Sequence, residues 1–134
     1  MKTRKIFLEG YVQYVPKFFR GGTKDKGFAV INKRGNGILV NRYALAKANV
    51  DISKPVLNAD VFINQNESKF AIVFNEEGRF TLRSYQKLQT DKYSAYQMSS
   101  SNLVDDLKGI GFEVGVRYNT EAPEDGVVIV KKDA

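Results

Sequence analysis

Along most of this chain, apolar and polar residues alternate over short runs, and each run stops at a cluster of Gly, Asn, Asp or charged side chains. A repeat of two puts every second side chain on one face of a strand, whereas a helix needs apolar positions three and four apart sustained over ten or more residues. Residues 5–15 form one such run, with Ile6, Leu8, Gly10, Val12 and Tyr14 on one side, and Pro16 ends it. Residues 27–32 and 38–41 flank Lys33-Arg34-Gly35-Asn36-Gly37, which reads as a hairpin with a basic turn. Residues 60–64 and 69–74 form a second pair around Gln65-Asn66-Glu67-Ser68, and Asn75-Glu76-Glu77-Gly78 turns into a strand over 79–85. A strand over 93–98 and a last hairpin of 112–118 with 127–131 complete the pattern. The spacing predicts a mainly β fold of at least seven strands, a small β-barrel or swapped-hairpin-like sheet with one or two short helices.

The helices are the exceptions. Tyr43-Ala44-Leu45-Ala46-Lys47-Ala48 are good helix formers, closed off by Asn49 and Pro55. In the second, Leu103-Val104-Asp105-Asp106-Leu107-Lys108, Asn102 is expected to cap and Gly109 to close, with Asp105 and Asp106 favoured by the helix dipole.

A length of 134 residues suits one folding unit that buries about two-thirds of its surface. Residues 1–26 read as an N-terminal strand and basic loop, and 27–134 as a single compact β-rich domain. There is no Cys and no His, which removes thiolate nucleophiles, disulfides, imidazole bases and the usual zinc and iron ligands. The carboxylates, Lys and Tyr that remain form no recognisable catalytic motif. The expectation is therefore a protein that is not an enzyme and uses no cofactor or metal. Only Ile6, Phe7 and Leu8 follow the basic start, too few for a secretory signal, so a cytoplasmic location is expected.

Charge is the informative quantity. Residues 1–54 hold 12 Lys+Arg against 3 Asp+Glu, and residues 55–134 hold 9 against 12, so one half carries the whole excess of +6. That asymmetry points to a polyanion, and with no basic amphipathic helix it favours nucleic acid, DNA above all, over a membrane. The candidate phosphate contacts are Lys17, Arg20, Lys24, Lys26, Lys33, Arg34 and Arg42, with Gly21, Gly22, Gly35 and Gly37 letting backbone amides approach. Tyr11, Tyr14, Phe18, Phe19 and Tyr43 lie in the same stretch, where aromatics among cations suit base stacking. Phe18 and Phe19, adjacent between Lys17 and Arg20 in a loop, are the strongest stacking candidates because both cannot easily be buried.

The chain also resembles itself. Phe28-Ala29-Val30-Ile31 is similar to Phe70-Ala71-Ile72-Val73, and residues 58–64 are similar to 113–119, which suggests two hairpin-helix-hairpin copies over 27–74 and 70–134. The order from residue 99 to 131, a helix, then Gly-Phe-Glu-Val-Gly-Val-Arg-Tyr, an acidic turn and Val-Val-Ile-Val-Lys-Lys, resembles the swapped-hairpin AbrB-like DNA-binding family. Residues 33–40 resemble that family's basic hairpin, which implies a DNA-facing role for Lys33 and Arg34. The second turn, Glu76-Glu77, departs from the pattern by being acidic. Two copies in one chain imply a built-in pseudo-dimer with one basic edge. The function so implied is a small DNA-binding regulator; a single-strand binder on an OB-like barrel, or a basic module docking an acidic protein partner, stay open as alternatives. A homodimer is also open.

Overall fold

The computed structural model describes residues 26–84 and 93–132. In chain order these form β1 (Phe28–Ile31), β2 (Gly37–Asn41), α1 (Arg42–Lys47), β3 (Val56–Asn64), β4 (Lys69–Phe74), β5 (Phe80–Ser84), β6 (Ala95–Ser99), α2 (Ser101–Gly109), β7 (Arg117–Glu121) and β8 (Val127–Lys131). The strands close into an antiparallel barrel in the order β1-β2-β6-β5-β3-β4-β8-β7. A mainly β fold with two short helices is thus what the alternation produces. Closure also leaves no open sheet edge.

Alternation decides which side chains fill the barrel. Ala29 and Ile31 on β1, Ile38 and Val40 on β2, Phe70 and Ile72 on β4, Leu82 on β5, Tyr96 and Met98 on β6 and Val128 and Val130 on β8 are all buried. The helices add Ala44, Leu45, Leu103, Val104 and Leu107 to the same core. At one side Phe112 stacks edge-on against both Phe70 and Tyr118, at 5.2 and 4.8 Å between centroids. The Tyr118 hydroxyl accepts the Glu113 amide at 2.7 Å, so a buried ring still has its polar end satisfied.

Several boundaries differ from expectation for local reasons. β3 begins at Val56, directly after Pro55, because it pairs with β5 as well as β4: Val56 to Ala59 face Arg83 to Phe80. The cap of α2 is Ser100, whose Oγ accepts from the Leu103 amide at 3.2 Å, so Asn102 lies inside the helix. With that start the first turn holds no acidic residue, and Asp105 and Asp106 fall beyond the reach of the N-terminal dipole. Gly109 is the last helical residue, and the left-handed position after it is Gly111 at φ 106°. Residues 112–116 run irregularly, leaving β7 to start at Arg117. The expected strand over 5–15 and the loop after it lie outside the described residues.

The ring has an internal regularity. Exchanging β1–β4 with β5–β8 in order leaves every pairing unchanged. Leu39 on β2 faces Gln97 on β6, and Ala71 on β4 faces Ile129 on β8; within each pair the residues are 58 apart in sequence. Each hairpin is bordered on both sides by hairpins of the other half, so the two halves interleave instead of standing side by side. In this arrangement β5 is the counterpart of β1, whereas the similarity of residues 28–31 to 70–73 relates β1 to β4. The link between the halves is tight: a side chain at Gly78 would collide with the backbone of Ala59.

Candidate functional site

The outward residues of β7, β1, β2 and β6 line a groove of about 710 Å³. Register sets its floor. Arg117 on β7 lies opposite Val30, Val30 opposite Leu39, and Leu39 opposite Gln97, which gives one row of outward side chains across four strands.

Two arginine-aromatic pairs stand over this floor. The Arg117 guanidinium sits 4.3 Å from the centroid of Phe28, and the Arg42 guanidinium 4.6 Å from that of Tyr43. Arg42 Nη2 also donates to the Tyr43 hydroxyl at 2.7 Å. A guanidinium resting on a ring keeps most of its edge N–H groups free for an anion, while its flat face extends the aromatic surface.

Asn41 explains why Arg42 and Tyr43 are held there. Its Oδ1 caps α1 by accepting the Ala44 amide at 3.1 Å and accepts the Phe28 amide at 3.0 Å, while Nδ2 donates to the Lys26 carbonyl at 2.9 Å. It is the buried polar residue of the described core, and it joins the start of β1 to the start of α1. At the far end of the groove, Lys33 opens the β1–β2 turn. Asn32 and Asn36 brace that turn, the Asn32 Nδ2 donating to Asn36 Oδ1 at 2.8 Å and the Asn36 amide to Asn32 Oδ1 at 3.1 Å. Gly35 takes the left-handed conformation, φ 69°, that most residues with a Cβ resist.

Electrostatics make the groove cationic. Among the described residues no Asp or Glu lines it. Among the described residues the salt bridges are Lys69 with Glu67 and Lys131 with Glu121, and none involves Lys33, Arg42 or Arg117. The perturbed titrating groups lie elsewhere. Burial pushes the Tyr96 hydroxyl, which donates to the Lys54 carbonyl, up to about 12. The Ser53 hydroxyl and amide hold Asp51 below its usual range, and the Arg79 amide followed by the Asn75 side chain does the same for Asp60. Among the described residues no cluster of three or more Asp or Glu could hold a metal ion.

Of the residues singled out from sequence, Lys33, Arg42 and Tyr43 line the groove. Lys26 is exposed just before β1, its carbonyl held by Asn41, and Arg34 is exposed on the turn without lining the groove. Lys17, Phe18, Phe19, Arg20 and Lys24 lie outside the described residues. Arg117, Phe28 and Gln97 were not among the sequence candidates. Arg117 belongs to the acidic half of the chain, and only the pairing of β1 with β7 brings it to Phe28.

Comparison with known proteins adds nothing to this geometry: no family model, no curated protein and no solved structure matches the chain. No described helix is long and apolar enough to cross a membrane.

Proposed function

We propose that this protein binds nucleic acid, taking a single strand into the groove between Arg117 and Gln97. The observation that carries the reading is the pairing of Arg42 with Tyr43 and Arg117 with Phe28 around one groove that no described carboxylate lines. Phosphates need cations, unpaired bases need flat apolar surfaces, and single-strand grooves combine the two. Val30 and Leu39 supply an apolar floor, and the Gln97 amide can both donate to and accept from a base edge.

A duplex reading has its own support. Lys33 and Arg34 are exposed on the turn of the β1–β2 hairpin, and the major groove of B-DNA admits a two-stranded β-ribbon. The interleaved hairpins also agree with the resemblance to AbrB-like DNA-binding regulators. In the ring the counterpart of this turn is the connection between β5 and β6, residues 85–94, most of which lie outside the described residues, whereas Glu76-Glu77 belongs to the link between the halves.

Titration of labelled single-stranded and duplex oligonucleotides at two salt concentrations separates these readings. The expected result is tighter single-strand binding, with a log-log salt slope of about −2 for three phosphate contacts at roughly −0.7 each. Tighter duplex binding would transfer the function to the Lys33-Arg34 turn. Absence of binding to either at low salt would leave an acidic protein surface as the partner of this face.

A further inference from the structure

The row of outward residues does not stop where the groove does. Beyond Gln97, the same row reaches Arg83 on β5, which lies directly opposite Gln97 in the β5–β6 pairing and is exposed. No described carboxylate forms a salt bridge with it. From Arg117 to Arg83 the row reads Arg117, Val30, Leu39, Gln97, Arg83, and Val56 on β3 lies beyond it. Four of the ring's eight interstrand steps separate the two arginines, a path of roughly 19 Å measured between strand backbones at ~4.8 Å each and longer at the outer surface, so the row carries a ligand half-way around the barrel.

We propose that Arg83 is the far anchor of a polynucleotide track that crosses the barrel strands, so that the ligand is an oligonucleotide of at least about four nucleotides and not a mononucleotide or a lone anion. This rests on the reading of the groove as a nucleic-acid site. Between these two cations the row carries two aliphatic side chains and an amide. Such a floor offers no cation to phosphates and a suitable surface to bases. A single nucleotide placed at Arg117 leaves Arg83 without a partner, whereas a strand long enough to pass Leu39 and Gln97 brings a second phosphate to it. The regularity of the ring fits this path, because Leu39 and Gln97 are the pair related by the exchange of halves. The same exchange relates Val30 to Arg83, since each sits beside one member of that central pair.

The test uses the full chain and fluorescein-labelled oligothymidylates of two, four and eight nucleotides at low salt, measured by fluorescence anisotropy for the parent, Arg83→Ala, Arg83→Lys and Arg117→Ala. Arg83→Ala should bind the dinucleotide within twofold of the parent and the octanucleotide about tenfold more weakly, as expected for one lost charge-assisted contact. Arg83→Lys, which keeps the charge, should recover most of that loss. Additional binding registers favour longer oligomers for every variant alike, so the difference between variants at fixed length reports the contact itself. If Arg83→Ala binds the octanucleotide like the parent while Arg117→Ala is weakened, the groove reading stands and the track is overturned. If Arg117→Ala is also unaffected, or the parent binds no oligomer, both readings fall together.

Discussion

The barrel presents two faces on opposite sides of its ring, one centred on the Leu39–Gln97 pair and the other on Ala71–Ile129, and they differ in what surrounds the strands more than in the strands themselves. Around Leu39 and Gln97, α1 and the β1–β2 turn add Arg42, Tyr43 and Lys33 as walls, and the cations have no described carboxylate beside them. On the opposite face, β3, β4 and β8 carry Phe62, Ala71 and Ile129 in one row, and Phe62 is 60% exposed. There Lys69 is neutralised by Glu67 at 3.5 Å and Lys131 by Glu121 at 2.7 Å. The same sheet therefore supports a cationic groove on one side and a charge-balanced apolar surface on the other. A barrel is only a platform; the helix and turn that follow its strands decide which face can hold an anion.

The largest effect that could break this contrast is expected from Arg42→Ala combined with Arg117→Ala. Removing both guanidinium groups should weaken single-strand binding at low salt by at least about tenfold, because one charge-assisted contact is worth ~1.5 kcal/mol or more. The salt slope should flatten by about 1.4, two contacts at roughly 0.7 each. Next in size is Tyr43→Ala, which removes a stacking surface worth ~1 to 3 kcal/mol per base. Its signature is a loss of about fivefold or more in affinity, measured by the same titration, with the slope nearly intact.

On the other face, Lys69→Ala with Lys131→Ala is expected to leave affinity within about twofold and to change thermal stability little, since exposed ion pairs contribute ~0 to 1 kcal/mol. A loss comparable to that of the arginine pair would erase the distinction between the faces. The smallest effect concerns Asp60, at the edge of that second face, where the Arg79 amide and the Asn75 side chain hold its carboxyl below the usual 3.8. A folded-state pKa below the unfolded one contributes stability above about pH 3.8, and that contribution disappears as pH falls through the lowered value. Acid unfolding followed by circular dichroism should therefore show a shallower dependence in this range for Asp60→Asn than for the parent, with nucleic-acid binding at neutral pH unchanged.

Much of the architecture is legible in the residues. Alternation in Phe28-Ala29-Val30-Ile31 or Lys69-Phe70-Ala71-Ile72-Val73-Phe74 leaves one buried face whichever partner the strand finds, so the local pattern suffices. Barrel closure is not local. Pairing of β1 with β7 joins Phe28 to Asn119 across most of the described chain, and nothing near either residue announces the other. The groove divides in the same way. Lys33 and Arg42 were visible from the density of positive charge in the first 54 residues, whereas Arg117 stands among acidic neighbours and gains its meaning from register alone. The α2 cap shows a finer limit: Ser99, Ser100, Ser101 and Asn102 are all residues that can cap, and tertiary contact selects among them, the Ser100 amide being held by the Asn36 carbonyl at 2.8 Å.

Interleaving of the hairpins has a consequence for how the chain assembles. Neither β1–β4 nor β5–β8 contains a sheet of more than two strands by itself, because each hairpin finds its neighbours only in the other half. Separated, the halves would have to meet as two molecules before any barrel could form, and isolated two-stranded hairpins are marginal in water. Residues 75–79, between β4 and β5, turn that encounter into an intramolecular event, with an effective concentration of the order of millimolar for a short tether. A chain cut between Glu77 and Gly78 should accordingly lose its barrel on dilution and regain it when concentrated, while the intact protein folds the same way at any concentration.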